Sequence, residues 1–209
     1  MKKKSLIVLL LVAFIIFMIY IKLKDKSIYY VNIQDIYDSV EYSYPIRNEI
    51  EKKEKLEKFV EFRYEDLRIT DLIQMIREND YIYVDHKKQT IQNALIKADI
   101  ITLFVGMNEV SYGLSKKYPE DIYNYMDTLL LDIETLLEEI KKYSKEKVFF
   151  IGYYYELEKD KGYITYLNEK LEKICKKEGV TYIPNETYLN KNKNIANIQS
   201  SVLNKFTFS

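Results

Sequence analysis

The feature that most limits how this chain can fold is an apolar run from Ile100 to Val105. Apolar side chains on consecutive positions require burial on both faces of a strand, which is typical of the central strand of a parallel sheet. Gly106 and Asn108 follow the run directly. Ligands of open α/β sheets bind at the carboxyl ends of the strands, so we expect Gly106 and Asn108 to lie near a functional site. The simpler alternative is that Gly106 makes a turn and Asn108 caps the next segment.

Strand-like and helix-like segments alternate along the rest of the chain. Short segments rich in β-branched and aromatic residues predict strands that begin near Ile28, Phe59, Ile100, Val148 and Val180. The alternation predicts a three-layer α/β/α sandwich with a parallel, five-stranded sheet, in which the Ile100 strand is central.

Segments with helical periodicity lie between these strands. A long amphipathic helix begins at Pro119, and Thr90 is placed to cap a short helix that ends at Lys97. Residues Tyr81 to Lys88, which include the polar stretch 84–88, are interpreted as a loop. The other predicted helices span residues 44–58, 70–79 and 163–177, the last followed by Gly179 as a C-cap.

The first 26 residues differ from the remainder. Three lysines precede an unbroken apolar run from Leu6 to Ile21, and three more follow it. The run is near the lower limit for spanning a bilayer and ends without a small-residue cleavage site. We therefore predict a membrane anchor over residues 1–26 and an α/β domain over residues 27–209. The cluster of lysines at the N-terminus favours a single-pass protein of the cell membrane, with the domain outside the cytoplasm.

Charge and composition exclude several classes of function. Removing the six lysines and one aspartate of residues 1–26 leaves 26 basic and 31 acidic side chains, a net charge of −5. That balance argues against a nucleic-acid partner. Cys175 is the only cysteine and lies on an apolar helical face, which indicates a buried thiol. We expect no metal and no cofactor, because the chain has no cluster of Cys and His and no glycine-rich phosphate loop.

Three stretches together resemble the SGNH, or GDSL-type, esterases. Residues 98–109, with Gly106-Met107-Asn108-Glu109 after the buried strand, are similar to the third conserved block of that family. Residues 66–72 and 148–154 are similar to flanking segments of its bacterial members. The resemblance covers roughly residues 28–183 and implies a flavodoxin-like α/β/α sandwich, in agreement with the pattern of elements.

The resemblance also shows where the catalytic groups of the family would fall. The family's nucleophilic serine corresponds to Ile36, which follows Gln34-Asp35 at the end of the first strand, and Ser39 is an alternative three residues further on. Gly106 and Asn108 match the region of the oxyanion hole, whereas Asp66 or Leu67 stands near the place of the second-block glycine. No histidine follows the last strand, and the single histidine, His86, lies in the predicted loop. A serine needs a neighbouring base to attack an ester, so the resemblance implies the fold without an intact catalytic triad.

Three hypotheses about function follow from these observations. The first is a membrane-anchored, non-catalytic SGNH-like protein that binds a ligand, such as a cell-wall glycan, or an envelope protein. The second is an active acyl esterase whose triad is relocated to Ser39 and an unusual base, with His86 as a candidate. The third is a structural or assembly protein of the envelope.

Overall fold

The computed structural model describes residues 12, 14, 27–35, 43–53, 55–84, 87–115, 119–144 and 147–185. Its strands are β1 (Ser27–Asp35), β2 (Lys55–Tyr64), β3 (Tyr81–Val84), β4 (Lys87–Thr90), β5 (Ile100–Phe104), β6 (Lys147–Ile151) and β7 (Thr181–Ile183). Its helices are α1 (Ser43–Lys53), α2 (Ile69–Glu78), α3 (Ile91–Lys97), α4 (Met107–Ser115), α5 (Pro119–Tyr143) and α6 (Lys161–Lys177), with a 3₁₀ turn at Glu158–Asp160.

Five of the strands form one parallel sheet in the order β2-β1-β5-β6-β7. The predicted parallel sheet is therefore confirmed, and β5 is its central strand. All five residues of β5 are buried, as the consecutive apolar positions required. Thr102 is accommodated because its hydroxyl accepts a bond from the Tyr30 hydroxyl at 2.8 Å and donates to Asn32 Oδ1 at 2.7 Å.

Helices lie on both faces of this sheet. The Arg47 guanidinium of α1 lies 5.2 Å from the ring centroid of Phe59, on the face that also carries Tyr30. On the opposite face the Tyr29 hydroxyl accepts a bond from the side chain of Gln89 in β4, the strand that leads into α3. The long helix α5 follows the predicted pattern, and the apolar positions of the predicted stripe are buried: Ile122, Met126, Leu129, Leu130, Ile133, Leu136, Leu137 and Ile140.

Helix boundaries follow the predicted caps at Thr90 and Gly179, and α2 ends next to the predicted end at Asn79. The Thr90 side chain accepts a bond from the Asn93 amide at the start of α3. Asn79 ends α2 in the left-handed conformation, and Gly179 follows α6 with φ +66°. Cys175 is buried in α6, as its position on the apolar face indicated.

The structure corrects three sequence predictions. Helix α1 ends at Lys53 rather than Lys58, and β2 begins at Lys55 because Lys55 is paired with Ser27 of β1. The predicted loop from Tyr81 to Lys88 is instead part of an antiparallel hairpin of β3 and β4. Helix α2 begins at Ile69 rather than Thr70, and its first turn is capped from another helix, as described below.

The predicted membrane anchor over residues 1–26 lies outside the described residues, apart from positions 12 and 14. Within the described ranges, we find no helix whose length and apolar content would let it span a bilayer.

Candidate functional site

The carboxyl ends of three neighbouring strands meet at one edge of the sheet. In register, Asp35 of β1 is opposite Tyr64 of β2, and Gln34 is opposite Phe104 of β5. The segments that follow β2 and β5 therefore lie on either side of the end of β1. This edge is where the sequence placed the functional site.

The turn after β5 requires glycine at position 106. Gly106 has φ +90°, a conformation that residues with a Cβ adopt at a cost. A Cβ there would lie 2.6 Å from the Tyr153 hydroxyl oxygen and 3.0 Å from Ile69 Cδ1. The turn is thus enclosed by Tyr153, which follows β6, on one side and by Ile69 of α2 on the other.

Tyr153 is held in place by its own hydroxyl and by α6. Its hydroxyl donates to the Val105 carbonyl at 2.8 Å. The Asn168 side chain accepts a bond from the Tyr153 amide at 2.9 Å and donates to the Tyr153 carbonyl at 2.8 Å. These three bonds fix the wall against which the Gly106 turn packs.

The carboxylate of Asp35 caps helix α4. Its Oδ2 accepts a bond from the Asn108 backbone N–H at 3.2 Å, and the side chain is completely buried. Burial raises the pKa of Asp35 to about 6, against the lowering effect of the backbone N–H groups of residues 106–108. A negative charge at the N-terminus of a helix is favourable, so Asp35 connects the end of β1 to the start of α4.

Glu109 performs the same function for helix α2. Its Oε2 accepts a bond from the Ile69 backbone N–H at 3.2 Å. Burial, together with the negative charges of Asp35 and Asp132, raises the pKa of Glu109 to about 7, although the Ile69 N–H and Arg68 oppose the shift. Through Asp35 and Glu109, the end of β1 and the segments that follow β2 and β5 are bonded to one another.

The segment after β2 contains a residue in a conformation usual for glycine. Asp66 has φ +53°, in the left-handed region that Gly, Asn and Asp adopt most readily. The sequence resemblance had placed Asp66 or Leu67 near the position of a family glycine. The backbone of Asp66 is therefore compatible with that correspondence.

These segments enclose an open cleft of about 740 Å³ between α2, α4 and α5. Among the described residues it is lined by three carboxylates, one guanidinium, two phenols, one amide and one hydroxyl. The lining side chains are Asp66, Leu67, Arg68, Thr70, Asn108, Glu109, Tyr112, Tyr125 and Asp132.

One lining atom is a buried donor without an acceptor. The Asn108 Nδ2 atom is shielded from solvent and has no hydrogen-bond partner among the described residues. The Asn108 side chain does not make the cap bond that was the simpler sequence alternative, because Asp35 supplies the cap. The Asn108 Nδ2 donor is therefore unsatisfied within the described part of the chain.

The predicted site residues divide into two groups. Gly106 and Asn108 lie at the cleft, next to the end of β5. Ile36, Ser39 and His86 lie outside the described residues, so their positions relative to Asn108 stay predictions. Tyr153 and Tyr154, which follow β6 at the same edge of the sheet, have no exposed surface and belong to the core.

Sequence reasoning missed Arg68, Tyr125 and Asp132. Tyr125 and Asp132 belong to the polar side of α5, and helical periodicity places such residues in solvent. The Tyr125 hydroxyl instead donates to the Glu109 carbonyl at 3.0 Å. Asp132 lies beside the cleft because of how α5 packs against α2. Within the described part of the chain, no group of three or more His, Cys, Asp or Glu side chains is arranged to hold a metal ion.

Comparison with known proteins identifies the fold. The sequence matches no protein-family profile and no curated protein sequence. The structure is similar to the lipase Lip_vut3 from a goat rumen metagenome, with a TM-score of 0.67 and 13% identity over 85% of this chain and 96% of the lipase. It is also similar to the acetylxylan esterase Axe2 from Geobacillus stearothermophilus, with a TM-score of 0.61 and 10% identity over 88% of this chain and 98% of that one.

A third similar structure is TesA, with a TM-score of 0.54 and 8% identity over 83% of this chain and 97% of TesA. At these identities the similarity concerns the fold alone. The chain has an SGNH-hydrolase-like α/β fold with a parallel, five-stranded sheet, as the sequence resemblance implied.

Proposed function

We propose that this chain is a non-catalytic SGNH-fold protein that binds a ligand in the cleft at the carboxyl edge of its sheet. The observation that carries the proposal is the composition of the cleft. Its described lining is rich in hydrogen-bonding groups, yet none of these residues is Ser, Cys or His. Binding requires only the first property, whereas nucleophilic acyl transfer also requires an activated nucleophile.

The sequence supports the same conclusion. Ile36 occupies the position that corresponds to the family's nucleophile, and an alkyl side chain cannot attack a carbonyl. The only histidine of the chain is His86, between β3 and β4 and far in sequence from the last strand. Removing both nucleophile and base leaves only weak residual catalysis.

The proposed location is the cell membrane, with the domain on the extracytoplasmic side. The apolar run from Leu6 to Ile21 and its flanking lysines support this part of the proposal. Expression followed by cell fractionation tests it. The full chain is expected in the membrane fraction with its N-terminus retained, and a soluble product that begins between Lys22 and Ser27 would contradict it.

Hydrolysis of short-chain acyl esters by the full-length chain tests the absence of catalysis. We expect no turnover above the rate without protein. The alternative is an esterase with a relocated triad, in line with the similarity of the fold to a lipase and an acetylxylan esterase. Turnover that is abolished by Ser39→Ala or His86→Ala, and retained by Ser115→Ala in α4, would establish that alternative.

A further inference from the structure

The start of β1 is the point at which the folded domain meets the predicted membrane anchor. The apolar run ends at Ile21 and β1 begins at Ser27, so only residues 22–26 separate them. A chain of that length reaches at most about 20 Å, even when it is fully extended. If the run spans a bilayer, the end of the sheet that contains Ser27 must therefore lie close to the lipid headgroups.

All five strands of the parallel sheet begin at this same edge, which we call the amino edge. In register, Tyr30 of β1 is opposite Ile100 of β5, and Ile100 is opposite Lys147 of β6. Helices α3, α5 and α6 each end within four residues of the strand that follows, so their last turns also lie at the amino edge. The cleft, in contrast, lies at the carboxyl edge.

The amino edge is rich in basic side chains. The last turns of α2, α3, α5 and α6 carry Arg77, Lys97, Lys141, Lys142, Lys176 and Lys177. Basic residues stabilise the C-terminal ends of helices, so their presence does not by itself indicate a partner. Glu139 compensates two of these charges, since it pairs with Arg77 at 2.7 Å and with Lys142 at 2.8 Å.

Two exposed lysines beside the start of β1 have no such compensation. Neither Lys88 nor Lys97 makes an ion pair within 4.0 Å among the described residues. Asp99, close to Lys97, instead accepts a bond from the Tyr29 N–H at 2.8 Å. The side chain of Gln89, which follows Lys88, bonds the Tyr29 hydroxyl. These bonds hold the end of α3 and strand β4 next to the start of β1.

Two large apolar side chains are exposed next to these lysines. Ile96 precedes Lys97 and is 62% exposed, and Tyr81 at the start of β3 is 59% exposed. The Lys88 ammonium lies 3.4 Å from the ring centroid of Tyr81. Helix ends do not require an exposed isoleucine or tyrosine. A lipid surface accounts for both, because tyrosine is enriched at the depth of the headgroups and lysine extends its charge to the phosphates.

We infer that Tyr81, Lys88, Ile96 and Lys97 form a membrane-facing patch that binds the anionic phospholipid headgroups of the bilayer that holds the anchor. The two lysines contact lipid phosphates, and the two apolar side chains enter the headgroup layer. The inference rests on the proposed membrane location and concerns the edge of the sheet opposite the cleft. The cleft then faces away from the bilayer.

Fluorescence of the full-length chain in lipid nanodiscs tests the inference. Ile96→Cys provides a thiol for an environment-sensitive fluorophore, and Leu157→Cys is the matched control, since Leu157 is 52% exposed beyond the carboxyl end of β6. Cys175 is buried, so the wild-type chain treated with the same reagent measures background labelling. The discs contain phosphatidylcholine alone or an equimolar mixture with phosphatidylglycerol, each with nitroxide-labelled headgroups as the quencher.

We expect strong quenching at position 96 in the discs with phosphatidylglycerol, weaker quenching there in phosphatidylcholine alone, and little at position 157. Added to Ile96→Cys, Lys88→Gln and Lys97→Gln should each lower the ratio of lipid-bound to free patch about fivefold. Lys161→Gln removes an exposed lysine at the start of α6, beyond the carboxyl edge, and should leave the quenching unchanged. Added salt should weaken the quenching at position 96.

Three results would overturn the inference. They are equal quenching at positions 96 and 157, equal quenching at position 96 in the two kinds of disc, and a blue shift at position 96 without quenching. The last would show that a protein surface covers the patch. Incorporation into the discs is measured separately by size-exclusion chromatography. A chain that does not enter the discs contradicts the proposed membrane location, whereas one that enters without quenching at position 96 contradicts this inference alone.

Discussion

The Tyr153 hydroxyl occupies the space that a side chain at position 106 would need. The hydroxyl oxygen lies 2.6 Å from the point where a Cβ on Gly106 would be, and it donates to the carbonyl of the preceding residue, Val105. The Tyr153 hydroxyl therefore has two effects. It provides a hydrogen-bond donor for the carbonyl that follows the central strand, and it prevents any larger residue from replacing the glycine. The turn that leads into the cleft depends on this pair.

We predict that Gly106→Ala destabilises the fold by roughly 2–4 kcal/mol, from the cost of a positive φ together with overpacking against Tyr153. Urea denaturation measures the change. Tyr153→Phe alone should cost about 1 kcal/mol through loss of its hydrogen bond. In the double variant the clash with the hydroxyl is absent, so its destabilisation should fall short of the sum by about 1 kcal/mol or more. Strict additivity would contradict the proposed contact.

Asp35 should make the stability of the protein fall as the pH rises. Its pKa is about 6 in the folded chain and 3.8 as an ordinary carboxyl, so the folded state binds the proton more tightly. Its contribution to stability is then complete below about pH 3.8 and lost as the pH rises through about 6, a change of roughly 3 kcal/mol. Asp35→Asn should remove this part of the pH dependence.

The measurement for Asp35 is the free energy of unfolding in urea at acid and neutral pH. The exposed carboxylate of Asp121 provides the control, and Asp121→Asn should leave the pH dependence of the wild type unchanged. Glu109 adds a pH dependence of the same sign, so the test is the difference between the two proteins. An Asp35→Asn variant whose pH dependence is as large as that of the wild type would show that the buried carboxyl does not titrate as described.

Asn168→Ala should be among the more damaging substitutions in α6. The side chain is 1% exposed and bonds both the N–H and the carbonyl of Tyr153. Its loss leaves two buried backbone groups without partners, at a cost of about 2–4 kcal/mol. The exposed Asn124 of α5 is a matched control, and Asn124→Ala should change thermal stability little. Similar melting temperatures for the two variants would contradict a stabilising contribution from the bonds between Asn168 and the Tyr153 backbone.

A serine at position 36, which corresponds to the nucleophile of the SGNH esterases, should not create an esterase. Ile36→Ser supplies a hydroxyl, but no histidine follows the last strand to act as its base. We expect no hydrolysis of short-chain acyl esters by this variant, measured beside the wild type and the protein-free reaction. Turnover by Ile36→Ser would show that another group serves as base.

The Asn108 side chain should matter little to stability. It makes no hydrogen bond among the described residues, so Asn108→Ala should shift the free energy of unfolding by no more than about 1 kcal/mol. If the cleft binds a ligand as proposed, the same variant should weaken that binding. A large loss of stability would instead show that the side chain supports the turn.

The elements predicted best are those whose signal is local. The buried run of β5 and the periodic apolar positions of α5 each specify their own environment without reference to distant residues. The start of β2 was misplaced because Lys55 to Lys58 suits the end of a helix as well as a strand. Only pairing with Ser27 and Ile28 of β1 decides between them.

The candidate site was predictable only in part, for the same reason. Gly106 and Asn108 follow a recognisable strand, so their place at the edge of the sheet was accessible from sequence. Asp132 reaches the cleft through the packing of α5 on α2, which includes the ion pair of Arg77 with Glu139 at 2.7 Å. No local pattern marks a polar helical residue for that position. The hairpin of β3 and β4 was missed because Lys87–Thr90 is polar throughout and carries no alternation.

The two helix caps have a consequence for how the cleft binds. Asp35 connects the end of β1 to α4, and Glu109 connects α4 to α2, so the walls that carry Asn108 and Arg68 are joined through one buried and one partly buried carboxylate. Neither wall can move away from the other unless a hydrogen bond to one of these two carboxylates breaks. The cleft is thus preorganised: a ligand meets donors and acceptors already in position, and little of its binding energy is lost to ordering loops.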